Sequence, residues 1–151
     1  MEKPIYQIES SLDGLYHIFE SENEGRVIKK LVAYVKDEQL ENRYHLIFGD
    51  LDDSNSLDVF AVSNNNDMVM VLSTVIKTLF EFFDKNPNSS VIFTGSTDAR
   101  TRLYRAVIGK LFNKVSEYYS VKGVNTDGSI EEFDKSKQYQ GYLISSKNEE
   151  E

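Results

Sequence analysis

DMVMVLSTVIKTLFEFFDKNPNSSVIFTG, residues 67–95, is the stretch in which the apolar period of the chain changes. Met68, Leu72, Val75, Ile76, Leu79 and Phe83 recur at the i, i+3, i+4, i+7 spacing of a helix that lies on a sheet. That spacing predicts a helix over residues 67–84. Asn65 or Asn66 is the expected N-cap, and Asp67 suits the positive end of the helix dipole. Asn86-Pro87-Asn88 stops the helix, because proline cannot continue it. The run SVIFT at 90–94 is then continuously apolar, as in a strand buried on both faces.

Upstream of this stretch the period is two. Residues 5–8 read as a short extended piece. LYHIFES (15–21), RVIKKLVAYVK (26–36), RYHLIFG (43–49) and LDVFAV (57–62) read as strands. Turn-rich segments at 22–25, 37–42 and 50–56 separate them, as in an antiparallel meander. A strand, a helix and a buried strand make a βαβ unit, so 57–62 and 90–94 are expected to be parallel. Downstream, Gly95-Ser96-Thr97-Asp98 turns into a second helix over about 99–117. A strand starting at Tyr118, a turn at 125–128 and a last strand at 139–145 follow. The expected fold is α+β (α/β), with order β-β-β-β-α-β-α-β-β. It is a mixed, mostly antiparallel sheet of about six to seven strands carrying two main helices. Residues 1–146 read as a single domain, and 147–151 as a frayed acidic tail.

Composition narrows the function classes. The chain has 151 residues, 40% of them hydrophobic, with nine Phe and nine Tyr, which suffices for a packed core. There is no Cys, which excludes a disulfide framework, thiolate metal sites and a cysteine nucleophile. The net charge of −8 repels phosphate backbones, so nonspecific nucleic-acid binding is not expected. The N-terminus lacks an apolar signal core, and no run approaches ~18 apolar residues. A cytoplasmic protein away from the membrane is therefore expected.

The most informative segment is TGSTDARTRLYR, residues 94–105. It follows a buried strand and opens a helix, where free backbone N–H groups and the helix dipole favour an anion. Gly95 permits a sharp turn, and Ser96 and Thr97 supply hydroxyls. Helical geometry puts Arg100 on the apolar face of Leu103, Tyr104, Val107, Ile108, Leu111 and Val115. It puts Arg102 and Arg105 on the solvent side. Arg100 then needs a bound anion or an internal carboxylate, with Asp50, Asp52, Asp53 and Asp58 available. The candidate ligand-binding set is Gly95, Ser96, Thr97, Arg100, Arg102, Tyr104 and Arg105. An internal ion pair with an ordinary capping loop accounts for the same residues.

Other signals carry less. DLDDSNSLD at 50–58 is acidic but lacks the glycine and final glutamate of an EF-hand loop. His17 and His45 sit in strands without a second metal ligand at suitable spacing, and each reads as a histidine satisfied by a neighbour. No metal site and no cofactor is implied. Val69, Met70 and Phe80 fall off the main apolar face of the first helix, which hints at a homodimer contact.

The segments FGDLDDSNSLDVFAVSNNND, MVLSTVIKTLFEF and GSTDARTRLYR together resemble an uncharacterised family of small bacterial proteins, a domain of unknown function marked by GSTxARTRLYR. The likeness covers nearly the whole chain and implies a bacterial, cytoplasmic protein, but no reaction. The element order also resembles the core of GNAT-type N-acyltransferases. In those enzymes a Gly-rich loop holds the pyrophosphate of acetyl-CoA. The corresponding Ser63-Asn64-Asn65-Asn66-Asp67 has neither a glycine nor a base. Three functions are expected to compete. The first is a non-catalytic module binding a small anion. The second is an acyl or group transferase with Tyr104 or Asp50 as proton carrier. The third is an interaction protein whose arginine face docks an acidic partner. The missing nucleophile and missing Gly-rich loop favour binding.

Overall fold

The structure, a computed structural model, describes residues 5–51, 57–58, 68–94, 105, 108 and 115–146. The chain divides into two compact units, Met1–Val35 with Leu46–Pro87, and Lys36–His45 with Asn88–Glu151. Strand β4 (Arg43–Leu51) contributes its first three residues to the second unit and the rest to the first.

The first unit is built from β1 (Glu9–Ser10), β2 (Tyr16–Asn23), β3 (Arg26–Lys36, from which Lys36 belongs to the second unit), the main part of β4, β5 (Leu57–Asp58) and helix α1 (Met68–Lys85). β1 pairs with β2, β2 with β3 and β4 with β5, all antiparallel. β3 lies beside β4. The β2–β3 hairpin closes through Asn23 and Arg26, so only Glu24 and Gly25 form the loop. Both have positive φ, 53° and 82°, as a two-residue turn matched to strand twist requires.

Alternation along β2 sends His17, Phe19 and Ser21 to one buried face. Register sets Val32 opposite His17 and Lys30 opposite Phe19, and Tyr34 continues that face. Helix α1 packs there: the rings of Tyr34 and Phe82 are 4.4 Å apart. Val71, Leu72, Val75, Ile76, Leu79, Phe82 and Phe83 are all buried on the helix. Thr78 Oγ1 donates to the Val75 carbonyl at 2.6 Å, so the Tyr34 hydroxyl donates to Thr78 Oγ1 at 2.8 Å. Burial pushes the Tyr34 phenol well above the ordinary tyrosine range. Thr74 likewise donates to the Met70 carbonyl and accepts the Tyr6 amide, tying the N-terminal segment to the helix.

The second unit contains the start of β4, β6 (Ser90–Thr94), β7 (Tyr119–Val124), β8 (Ile130–Glu132) and β9 (Gly141–Ser146). Its strands lie in the order β4-β6-β9-β7-β8. β4 and β6 are parallel, with Tyr44 opposite Val91. The β6–β9, β7–β9 and β7–β8 pairs are antiparallel. Two strand glycines permit close approach. A Cβ on Gly123 would lie 2.3 Å from the Tyr139 ring, and one on Gly141 would lie 2.4 Å from the Phe93 carbonyl oxygen.

These observations correct the expected fold class. The described residues form nine strands rather than six or seven. The described residues are mostly sheet, with α1 as the one helix described along its whole length. Of the second expected helix, Arg105, Ile108, Val115 and Ser116 are helical, and the remainder lies outside the described residues. The two-helix, acyltransferase-like layout is therefore replaced by a sheet-dominated one. The parallel partner of β6 is β4, not the 57–62 segment. Leu57 and Asp58 pair antiparallel with β4 instead, since a connection of only five residues is too short for a parallel crossover. β8 was missed because IEE has one apolar residue and no alternation to read. Residues 5–8 are not a strand, and pairing begins at Glu9. The N-cap at Asn65 or Asn66 and the tail at 147–151 lie outside the described residues. No helix of the described residues is long and apolar enough to cross a membrane.

Two substitutions test this packing. Glu24→Asn places a residue that tolerates positive φ beside Gly25, and is expected to stabilise the protein by about 0.5 kcal/mol in urea denaturation. Gly123→Ala drives a methyl into the buried Tyr139 ring and is expected to cost about 1–3 kcal/mol in the same measurement.

Candidate functional site

Of the residues singled out in the sequence, Gly95, Ser96, Thr97, Arg100, Arg102 and Tyr104 lie outside the described residues. Arg105 is described, and its position corrects the solvent-side expectation. It is partly buried, and its Nε is enclosed without a hydrogen-bond partner among the described residues. Arg105 lies three residues before the fully buried Ile108, one helical turn along nearly the same face. That proximity draws its stem inward while its head seeks polar company.

The head finds Tyr142. β9 alternation and its central place between β6 and β7 bury this tyrosine to 2% exposure. Its hydroxyl oxygen accepts a hydrogen bond from the Arg105 guanidinium. Burial raises the Tyr142 phenol above its ordinary range, with the Arg105 charge and hydrogen bond opposing. Tyr142 therefore stays neutral, so Arg105 gains a dipole but no counter-charge from it. The rings of Phe93 and Phe133 lie 5.7 and 6.1 Å from Tyr142, and Tyr139 is 6.1 Å away. An aromatic wall thus backs the guanidinium's tyrosine partner.

Behind that wall is a fully satisfied carboxylate. Lys137 Nζ donates to both Glu131 oxygens at 2.7 and 2.8 Å. Asn125 Nδ2 donates to Oε1 at 2.9 Å, and the Tyr139 hydroxyl donates to Oε2 at 3.0 Å. These bonds, Lys137 foremost, hold the Glu131 carboxyl down at about 2. Glu131 has no capacity left for a ligand and acts as a fastener for the 133–138 loop.

Two acids expected to serve Arg100 or proton transfer can be placed. Asp50 accepts from Lys30 Nζ at 2.6 Å, with Lys30 only 3% exposed, so it is committed to an ion pair. Asp58 is described in its backbone only, opposite Asp50 in the β4–β5 register. Asp52 and Asp53 lie outside the described residues. His45 is satisfied by Asp37, Nε2 to Oδ2 at 2.7 Å, as its strand setting implied. His17 is likewise partnered, through Ser10 and the Gly14 carbonyl.

Sequence reasoning missed Tyr142, Tyr139 and Glu131. The signal for the tyrosines was present in YQGYLIS, where aromatics flank a glycine in a strand. Glu131 left no such trace, because its partners come from three separate positions of the loop and hairpin.

The class of protein these features define is a sheet-rich α+β protein, with α1 as its fully described helix and Arg105 beside the buried Tyr142. The chain belongs to a family of unknown function, DUF6934, whose profile matches residues 2–147. No curated protein and no solved structure matches it at a significant level.

The Glu131 network carries a pH prediction. Its folded value is depressed from 4.5 to about 2, so its contribution to stability is present above 4.5 and lost as pH falls towards about 2. Glu131→Gln is expected to flatten that part of the acid-denaturation curve, followed by tyrosine fluorescence.

Proposed function

We propose that this chain is a non-catalytic binding module that holds a small oxyanion, phosphate or carboxylate, at the segment that follows β6 in the chain. The observation that carries the reading is the enclosed Nε of Arg105, which has no hydrogen-bond partner among the described residues. A buried donor left unmet costs about 1–3 kcal/mol, and a guanidinium edge matches two oxygens of one anion. Tyr142, kept neutral by burial, adds polarity without competing charge. The segment 95–104, with its glycine, hydroxyls and Arg100 and Arg102, adjoins Arg105 in the chain and supplies the remaining groups of the proposed site. An acidic group on a partner protein presents the same oxygens as a free anion. Acyl transfer loses its footing, because it rested on a two-helix topology that the described residues do not form.

The test is thermal denaturation of wild type, Arg105→Lys and Arg100→Ala with inorganic phosphate and with sulfate. An anion at 100 times its dissociation constant adds about 2.7 kcal/mol, a rise of several degrees in Tm. Wild type is expected to show that rise and both variants to lose most of it. An unshifted wild type overturns the reading.

A further inference from the structure

A second polar cluster lies in the first unit and is unused by the proposed function. His17 on β2 is fully buried. Its Nε2 lies 2.7 Å from the Gly14 carbonyl oxygen, which can only accept, so Nε2 carries a hydrogen. Its Nδ1 lies 2.8 Å from Ser10 Oγ, directly across the β1–β2 pair. Ser10 Oγ in turn donates to Glu81 Oε2 on α1 at 2.9 Å. Glu81 Oε2 is 3.4 Å from Nδ1.

Counting hydrogens decides the state of this cluster. A serine hydroxyl has one hydrogen, and here Glu81 takes it. The short Ser10–His17 contact then needs a hydrogen from Nδ1. With Nε2–H already directed at Gly14, a ring that carries both hydrogens satisfies every contact to the ionised carboxylate. A neutral ring would leave Ser10 serving one of two acceptors, with a lone pair facing a carboxylate. We infer that His17, Ser10 and Glu81 form a proton-dependent latch, closed by an imidazolium, that fastens strand β1 to helix α1 across β2.

The surroundings fit a single stored proton. From the 11–14 loop, the Asp13 carboxylate, lowered mainly by its Ser11 hydrogen bond, also feels the imidazole charge. From β3, Tyr34 stands edge-on at 5.7 Å and is a neutral phenol. From β1, Ser10 is the contact and Glu9 its neighbour. From α1 come Glu81 and Lys85, whose methylene stem packs where a Gly14 side chain would stand. β1 is two residues long with both exposed, so this latch forms a large share of its attachment. Proton loss leaves one of the two short contacts without a hydrogen, and β1 loosens from α1.

The test compares wild type with Glu81→Gln and Ser10→Ala by urea denaturation between about pH 5 and pH 8. A glutamine can donate to Ser10 Oγ while Ser10 donates to a neutral ring, so Glu81→Gln satisfies the cluster without the extra proton. The sign follows from proton binding by the folded state. Latch stability is present at the acid end and lost as the pH rises. The folding equilibrium constant of wild type relative to Glu81→Gln is expected to fall by about tenfold across that range. His45 is paired with Asp37 in every variant and cancels in the comparison. Imidazole nitrogen NMR of His17 gives the second readout, with both nitrogens protonated at the acid end. Ser10→Ala is expected to abolish the pH dependence of the difference. A wild-type-to-glutamine ratio constant across the range, or a neutral His17 ring at the acid end, overturns the inference.

Discussion

Lys30 and Asp50 meet at 2.6 Å on a sheet face that also carries Phe19, Val32 and Tyr34, and the first unit depends on the condition this pair illustrates. Alternation in β2 and β3 sends polar as well as apolar side chains beneath α1. A buried ammonium, imidazole, phenol or hydroxyl is tolerated only when its hydrogen-bonding capacity is met. Lys30 therefore requires Asp50, Tyr34 requires Thr78, and His17 requires both Gly14 and the Ser10–Glu81 pair. Each requirement fixes a distance between elements remote in sequence. Hydrophobic burial drives α1 onto the sheet, and these polar matches select one position for it.

The second unit meets a different constraint. Its interior is aromatic, and flat rings stacked against strands need room that side chains would occupy. Gly123 and Gly141 leave that room for Tyr139 and for the close approach of β6. The Tyr139 hydroxyl then accepts the Asp134 amide and donates to Glu131, which joins the ring cluster to an exposed ionic knot. Arg105 meets the other end of the same cluster through Tyr142. A single buried tyrosine layer thus fills the interior and meets charged groups at its two ends.

Much of this architecture was legible locally. β2, β3, β4, α1, β6, β7 and β9 were each expected within a few residues of where they form, since each carries its own period. Both histidines were read as satisfied by neighbours, and both are. Strand partners were less legible. RYHLIFG and LDVFAV are equally plausible parallel neighbours for SVIFT, and only the hairpin return of β5 removes the second. For the candidate site, the arginine-rich segment was conspicuous in sequence, whereas Tyr142 was marked only by its place beside a strand glycine in YQGYLIS. Arg105 was misplaced because a helical wheel assigns direction but ignores how a long stem bends towards a buried neighbour.

The sequence by itself determined the strand and helix periods, the Glu24-Gly25 turn, the absence of cysteine chemistry and the concentration of arginines after β6. These are short-range properties, set by backbone sterics and by which face of one element is apolar. The tertiary structure alone decided which strand lies beside β6, which close approach each strand glycine admits, and which groups meet the buried His17. Those outcomes depend on donors, acceptors and volumes from segments far apart in the chain, and they can be counted only once burial has brought the segments together.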